Sequence, residues 1–168
     1  MANQNWPNGF IPSEDEQCTR EHEISATNAE IAYGDLVERH TDGYVRPAVA
    51  SSVRIIGVAA EHKAANSGGT IKVYDDPETV FVAQMDDSSF SAQADLQYNY
   101  DIVVTTPDSA GRSRMQIDAS TKALTATLPI KVRGLVPITN AYGNTLGAYA
   151  RVYCLINNHI YKSTGVIG

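Results

Sequence analysis

The sequence predicts an all-β protein, a compact antiparallel β-sandwich or β-barrel-like body with an extended N-terminal arm. Three observations predict it. About eight to ten short segments rich in Val, Ile, Thr, Tyr and Phe succeed one another along the chain. Gly, Asn, Asp and Pro separate them at close spacing, as turns require. No segment sustains the 3.6-residue apolar stripe of an amphipathic helix, and the gaps are too short for helical crossovers between parallel strands. The 168 residues suffice for one core, since folding at that size hides roughly 68–70% of the chain's surface.

Taken in order, residues 1–23 read as an arm and residues 24–168 as a single β-rich domain. The arm holds Pro7, Gly9 and Pro12, then the polar run SEDEQ and two further Glu. Trp6 and Phe10 stand out in it, because large aromatic area left in water is unfavourable and predicts docking. The surface that receives them is either this molecule's own body or a neighbouring subunit. Ala29 to Val37 (AEIAYGDLV) alternates in part. The HTDGY turn after it predicts a hairpin that resumes at Tyr44 and Val45. Val53 to Ala60 (VRIIGVAA) is apolar around Gly57, where a bulge or a close backbone crossing is expected. NSGGT is a turn before the alternating TIKVY of Thr70 to Tyr74. Thr79 to Met85 (TVFVAQM), Tyr98 to Thr105 (YNYDIVVT), Leu128 to Val136 and Tyr149 to Ile156 (YARVYCLI) read as strands. TPDSAGRS and ITNAYGNTLG read as loops, and Met115 and Ile117 alternate with polar neighbours. ASTKALTAT, residues 119–127, reads as one short helix weakened by its Thr content.

Charge and cysteine content exclude several classes of function. The net charge is −6 and uneven: residues 1–84 carry 6 Lys or Arg and 13 Asp or Glu, whereas residues 85–168 carry 7 and 6. An acidic front half repels a phosphate backbone, so no nucleic-acid partner is expected. Cys18 and Cys154 are too few for a disulfide scaffold and form no CxxC, so neither zinc nor redox chemistry is expected. No apolar run approaches the roughly 20 residues of a membrane helix. The opening MANQNWPNGF lacks the basic and apolar regions of a signal peptide. Synthesis in the cytoplasm and no membrane partner are therefore expected.

The most acidic stretch is YDDPETVFVAQMDD. Asp75, Asp76 and Glu78 precede one strand, and Asp86 and Asp87 follow it. Pro77 presets a turn and the Asp side chains accept neighbouring N–H groups. At about 3.3 Å per residue the two acidic groups lie on opposite rims, too far apart to share a metal. The oxygen ladder of a calcium loop is missing, and no aromatic platform marks a sugar cleft. The reading is turns on a solvated rim. His22, His40, His62 and His159 fall in separate segments and form no HExxH. His159 reads as a buried donor or a surface residue. No GxSxG elbow occurs, and NSGGT lacks the Lys of a phosphate loop. No catalytic residue, cofactor or metal is expected, and the chain does not read as an enzyme. Arg112, Arg114, Arg133 and Arg151 form a modest basic set that, gathered on one face, would pair with a partner's acids.

The ordered landmarks NGF with Pro12 (Asn8 to Pro12), AEIAYGDLV with Gly34 and Asp35, IIGV (Ile55 to Val58), DDPETVF (Asp75 to Phe81), GRS and IDAST (Gly111 to Thr121), RGLVP (Arg133 to Pro137), NAYG (Asn140 to Gly143) and a closing Asn157, His159 and Tyr161 span nearly the whole chain. In this order they resemble a group of tailed-bacteriophage structural proteins, the head decoration or capsid cement proteins. The chain departs from that group after NGF, where SEDEQ replaces basic residues and a His. The resemblance implies a structural virion protein on the capsid exterior that binds the outer surface of the head shell and stabilises it. Its partners would be the major capsid protein and neighbouring copies of itself, with a trimer matching a three-fold shell position. Trp6, Phe10 and Pro12, on an arm that is loose until it docks, and Arg112 and Arg114 of the basic set are the expected partner contacts. The competing readings are a virion-displayed host-surface or glycan-binding module, built on Tyr98, Tyr100, Tyr142, Tyr149, Tyr153 and Tyr161, and a tail structural subunit.

Overall fold

Eleven strands and one 3-10 turn make up the described part of the chain, residues 3–14, 17–137 and 143–162 of a computed structural model. They form two sheets. β2 (Arg20–Ile24), β3 (Leu36–Arg39), β4 (Val45–Pro47), β5 (Ile55–Ala59) and β6 (Gly69–Tyr74) close into a barrel in the order β2-β4-β3-β5-β6. β1 (Ile11–Pro12), β7 (Phe81–Gln84), β8 (Asn99–Val103), β9 (Gln116–Ala123), β10 (Ile130–Leu135) and β11 (Arg151–Ile156) form a six-stranded sheet in the order β1-β7-β11-β10-β8-β9. The fold is all-β, with a barrel packed on a sheet.

Alternation in the short barrel strands accounts for their two-sided packing. His22 and Ile24 of β2, and Ile71 and Val73 of β6, turn inward while their neighbours face water. The β3–β4 hairpin turns at Asp42 and Gly43 as its DG sequence predicts; Tyr44 N–H donates to Asp42 Oδ1 at 3.0 Å, and Gly43 takes φ +89°. β5 is buried at every position. Gly57 makes that possible. The β3–β5 register runs Val37↔Gly57 and then Glu38↔Ile55, skipping one residue. The bulge shifts the phase of the alternation. Ile55 and Val58 therefore face the six-stranded sheet, and Ile56 and Ala59 fill the barrel. Gly57 has φ +152°, and a Cβ there would lie 2.1 Å from the Tyr74 carbonyl oxygen. Both expectations for this glycine, bulge and close crossing, are met at once.

The larger core lies between the barrel wall and the inner face of the sheet. Leu36, Ile55 and Val58 of the barrel meet Phe81, Ala83, Val132, Val152, Cys154 and Ile156 of the sheet. Phe90 and Tyr100 stack edge to face at 6.2 Å, and the Tyr100 hydroxyl donates to the Asp95 carbonyl at 2.7 Å. The sheet then curls until β9 returns beside the end of β7, where Met85 bridges Ile117.

Two sequence expectations change. No helix covers 119–127, because β9 runs through Ala123. Thr121 and Lys122 have strand roles there: Thr121 Oγ1 accepts the Asp101 N–H at 2.8 Å where the β8–β9 register shifts, and Lys122 Nζ reaches Asp95 Oδ1 at 2.8 Å. The arm boundary at residue 23 falls inside β2, which pairs with β6 from Arg20↔Val73 to Ile24↔Gly69. Its REHEI sequence hides the strand, since three charged residues surround two inward ones. Of the loop expected at 138–147, residues 138–142 lie outside the described residues, as do Asp15 and Glu16 of the SEDEQ run.

Candidate partner interface

The expected contact residues begin with the arm, and the arm is tied to this molecule. Asn3 Nδ2 donates to the carbonyls of Thr145 and Ala148 at 2.8 and 2.9 Å. Gln84, at the end of β7, accepts the Trp6 N–H on Oε1 at 2.9 Å and donates from Nε2 to the Gln4 carbonyl at 2.7 Å. Gly9 then passes over Ser113 with φ +66°, and a Cβ there would come 2.4 Å from Ser113 Cβ. Phe10 N–H donates to the Gly34 carbonyl at 2.9 Å. Pro12 pairs with Phe81 on the edge strand β1, where its missing N–H costs nothing. These bonds correct the expectation of an arm loose until it docks.

The two aromatics of the arm part company. Phe10 is fully buried in the larger core, so the docking read for it is on its own body. Its burial contributes about 1.5–3 kcal/mol. Trp6 has its backbone held by Gln84, yet 62% of the residue is exposed. Gln84 was not legible as an anchor; the available signal was a lone amide closing an apolar strand.

Three shallow clefts follow the arm. The first, about 410 Å³, is lined by Asn8, Ile11, Tyr33, His62 and Arg112 among others. The second, about 300 Å³, shares Asn8 and Ile11 and adds Trp6, Val82 and Arg151. The third, about 340 Å³, shares Ser13 and adds Glu14, Val80, Arg133 and Tyr153. Arg112, Arg151 and Arg133 of the basic set thus line three separate clefts that share arm residues. Arg114 lines none of these clefts; it is exposed, and its carbonyl accepts the Thr105 hydroxyl at 2.6 Å. Of the tyrosines, Tyr100 is buried, Tyr98, Tyr149 and Tyr153 are half-buried, Tyr161 is exposed, and Tyr142 lies outside the described residues.

The acidic stretch divides into turn formers and structural acceptors. Asp76 Oδ1 accepts the Glu78 N–H at 2.9 Å and Asp87 Oδ1 accepts the Ser89 N–H at 2.6 Å, both as turn residues do. Asp86 Oδ1 accepts the Ala119 N–H at 2.9 Å, and its own N–H donates to Ile117 at 3.0 Å, closing the seam between β7 and β9. Burial raises its carboxyl above the ordinary value. Asp75 departs from the rim reading: it is buried, and its Oδ2 accepts from His22 Nε2 at 2.9 Å. Arg39 Nη2 donates to His22 Nδ1 at 3.0 Å, so the ring hydrogen sits on Nε2 and points at Asp75. Arg39 also donates to the Tyr161 hydroxyl at 3.1 Å. The group ties the segment after β11 to the barrel.

His159 is buried on that segment. Its Nδ1 accepts the Tyr161 N–H at 3.1 Å, while Nε2 has no partner among the described residues. Burial pushes the imidazole below its ordinary range, so it stays neutral. Cys154 is in the core, and burial pushes its thiol far up, away from nucleophilic use. Among the described residues no three His, Cys, Asp or Glu side chains gather as a metal would need. No described helix is long and apolar enough to cross a membrane.

No protein-family model matches the chain, and no curated protein matches it.

Proposed function

We propose that this chain is a structural virion protein, a capsid decoration protein that binds the outer surface of a tailed-phage head shell and stabilises it by burying interface across subunit junctions. The observation that carries the reading is Trp6, an exposed indole on a backbone already fixed by Gln84. An aromatic anchor held in place before binding loses little freedom when it docks, which favours affinity. The order of sequence landmarks supports the shell as the partner. The polar groups support assembly over reaction, because His22 and Asp75 are committed to the barrel end, Asp76 to a turn and Asp86 to a seam. Repetition of such contacts over a symmetric lattice multiplies modest affinity into firm attachment.

Co-sedimentation with purified phage heads lacking this chain tests the reading. Binding that saturates at a fixed ratio of this chain to shell subunits, and a rise in the temperature at which the heads rupture, are the expected results. Wild-type protein that stays in the supernatant at all concentrations would remove the proposal.

A further inference from the structure

The outer face of the six-stranded sheet has a composition that the core does not explain. An antiparallel sheet with one face in the core ordinarily turns polar side chains to water on the other. Here Val82 of β7 and Tyr153 and Leu155 of β11 lie on the outward face, with Arg151 at its end and Gln84 taken up by the arm. Val82 stands directly opposite Tyr153, and on its other side opposite Ile11 of β1. Val80 joins Tyr153 in lining the third cleft. All four are partly exposed. Cations border the strip: Arg151 at one end, Arg133 in the bulge of β10, and Lys131 opposite Leu155. The Lys and Arg ion pairs among the described residues use Arg20, Arg46, Lys63 and Lys122 instead. Glu14 is the one described carboxylate lining the two clefts on this face.

We infer that the outer face of β7, β11 and β10 docks a protein surface that carries carboxylates around an apolar centre. The inference rests on the proposed function, in which that surface belongs to the shell subunit. Charge decides between occupants. A two-fold contact of this face with itself would set Lys131, Arg133 and Arg151 against their own copies, which like-charge repulsion disfavours. A phosphate backbone is disfavoured by the net charge of −6 of the whole chain. A carboxylate-bearing protein surface satisfies the cations and covers the valines and Tyr153 together. Trp6 lies at the border of the same strip, in the cleft with Val82 and Arg151.

The test is co-sedimentation of full-length protein with heads lacking it, at about 0.15 M salt, where exposed charges act over about 8 Å. Three forms are compared: wild type, the double variant Lys131→Glu with Arg133→Glu, and Lys72→Glu on the barrel as a reversal elsewhere. Circular dichroism melts verify that each form is folded; these side chains are exposed, so the folds should match. The inference expects at least about a tenfold loss of head binding for the double variant and wild-type binding for Lys72→Glu. Equal binding by the double variant and wild type would overturn the inference and leave the proposed function standing. An equal loss in Lys72→Glu would overturn it too, by showing that only overall charge matters. Wild type that fails to bind heads would remove the proposed function and this partner with it. A parallel titration with a duplex DNA oligonucleotide, bound by wild type and lost in the double variant, would reassign the face to a polyanion and overturn the protein partner.

Discussion

Trp6 and Gly57 illustrate how one side chain, or its absence, divides between function and folding. Trp6 packs little against its own molecule, so Trp6→Ala should alter folding stability by less than about 0.5 kcal/mol. Its loss should weaken head binding by about 2 kcal/mol or more, some thirtyfold. Urea denaturation and co-sedimentation read the two effects separately. Gly57 is the opposite case. An alanine there meets the Tyr74 carbonyl oxygen at 2.1 Å on a backbone at φ +152°. Gly57→Ala should cost about 3 kcal/mol or more, or prevent folding, measured by urea denaturation. His159 governs pH response. Its folded pKa lies below the ordinary 6.5 because it is buried, with Asp75 and Asp76 opposing and Lys162 reinforcing the shift. The unfolded chain therefore takes up the proton first. Stability is complete above about pH 6.5 and falls as pH drops through the folded value. Asp35 and Asp86, raised by burial, act in the opposite sense and from the lower starting value of 3.8. Melting temperature should fall between about pH 7 and pH 5.5 in wild type and change less in His159→Gln.

At the scale of elements, the strands that alternate cleanly were legible and those built from charged or very short stretches were not. TIKVY and YARVYCLI announce β6 and β11 because the period of two is intact. β1 has two residues, one of them Pro12, and carries no periodicity at all. β2 was hidden because only His22 and Ile24 of REHEI turn inward, and its partner β6 lies far along the chain. The ASTKALTAT segment reads as a helix locally, but β8 supplies ladder partners that local propensity cannot see. The seam at Asp86 depends on the same kind of long-range pairing. Asp86→Ala leaves the Ala119 N–H without its acceptor, which should cost about 1–3 kcal/mol. Hydrogen exchange should show faster exchange at Ala119 and its β9 neighbours, with β2 and β6 little changed. Unaltered protection in β9 would mean that Asp86 does not hold the seam.

The whole molecule is a closed barrel joined to a curled sheet, and its outer surface carries what the interior does not need. Closure protects the barrel edges, and β1 with Pro12 blunts one edge of the sheet. The all-β class was readable from composition and alternation. The proposed interface was readable only in fragments: Trp6, Arg133 and Arg151 could be named, but their shared border along β7, β11 and β10 follows from topology. Phe10 could be placed inside only by the path of the arm between Gly34 and Ser113. Docking on a shell is the proposed action of this molecule. A cryo-electron microscopy map of native heads tests it most directly. Density of the barrel and sheet is expected on the outer shell surface, with Trp6 and the β7–β11 face against a shell subunit. A shell whose exterior lacks this density, or a copy found with that face and Trp6 turned to solvent, would contradict it.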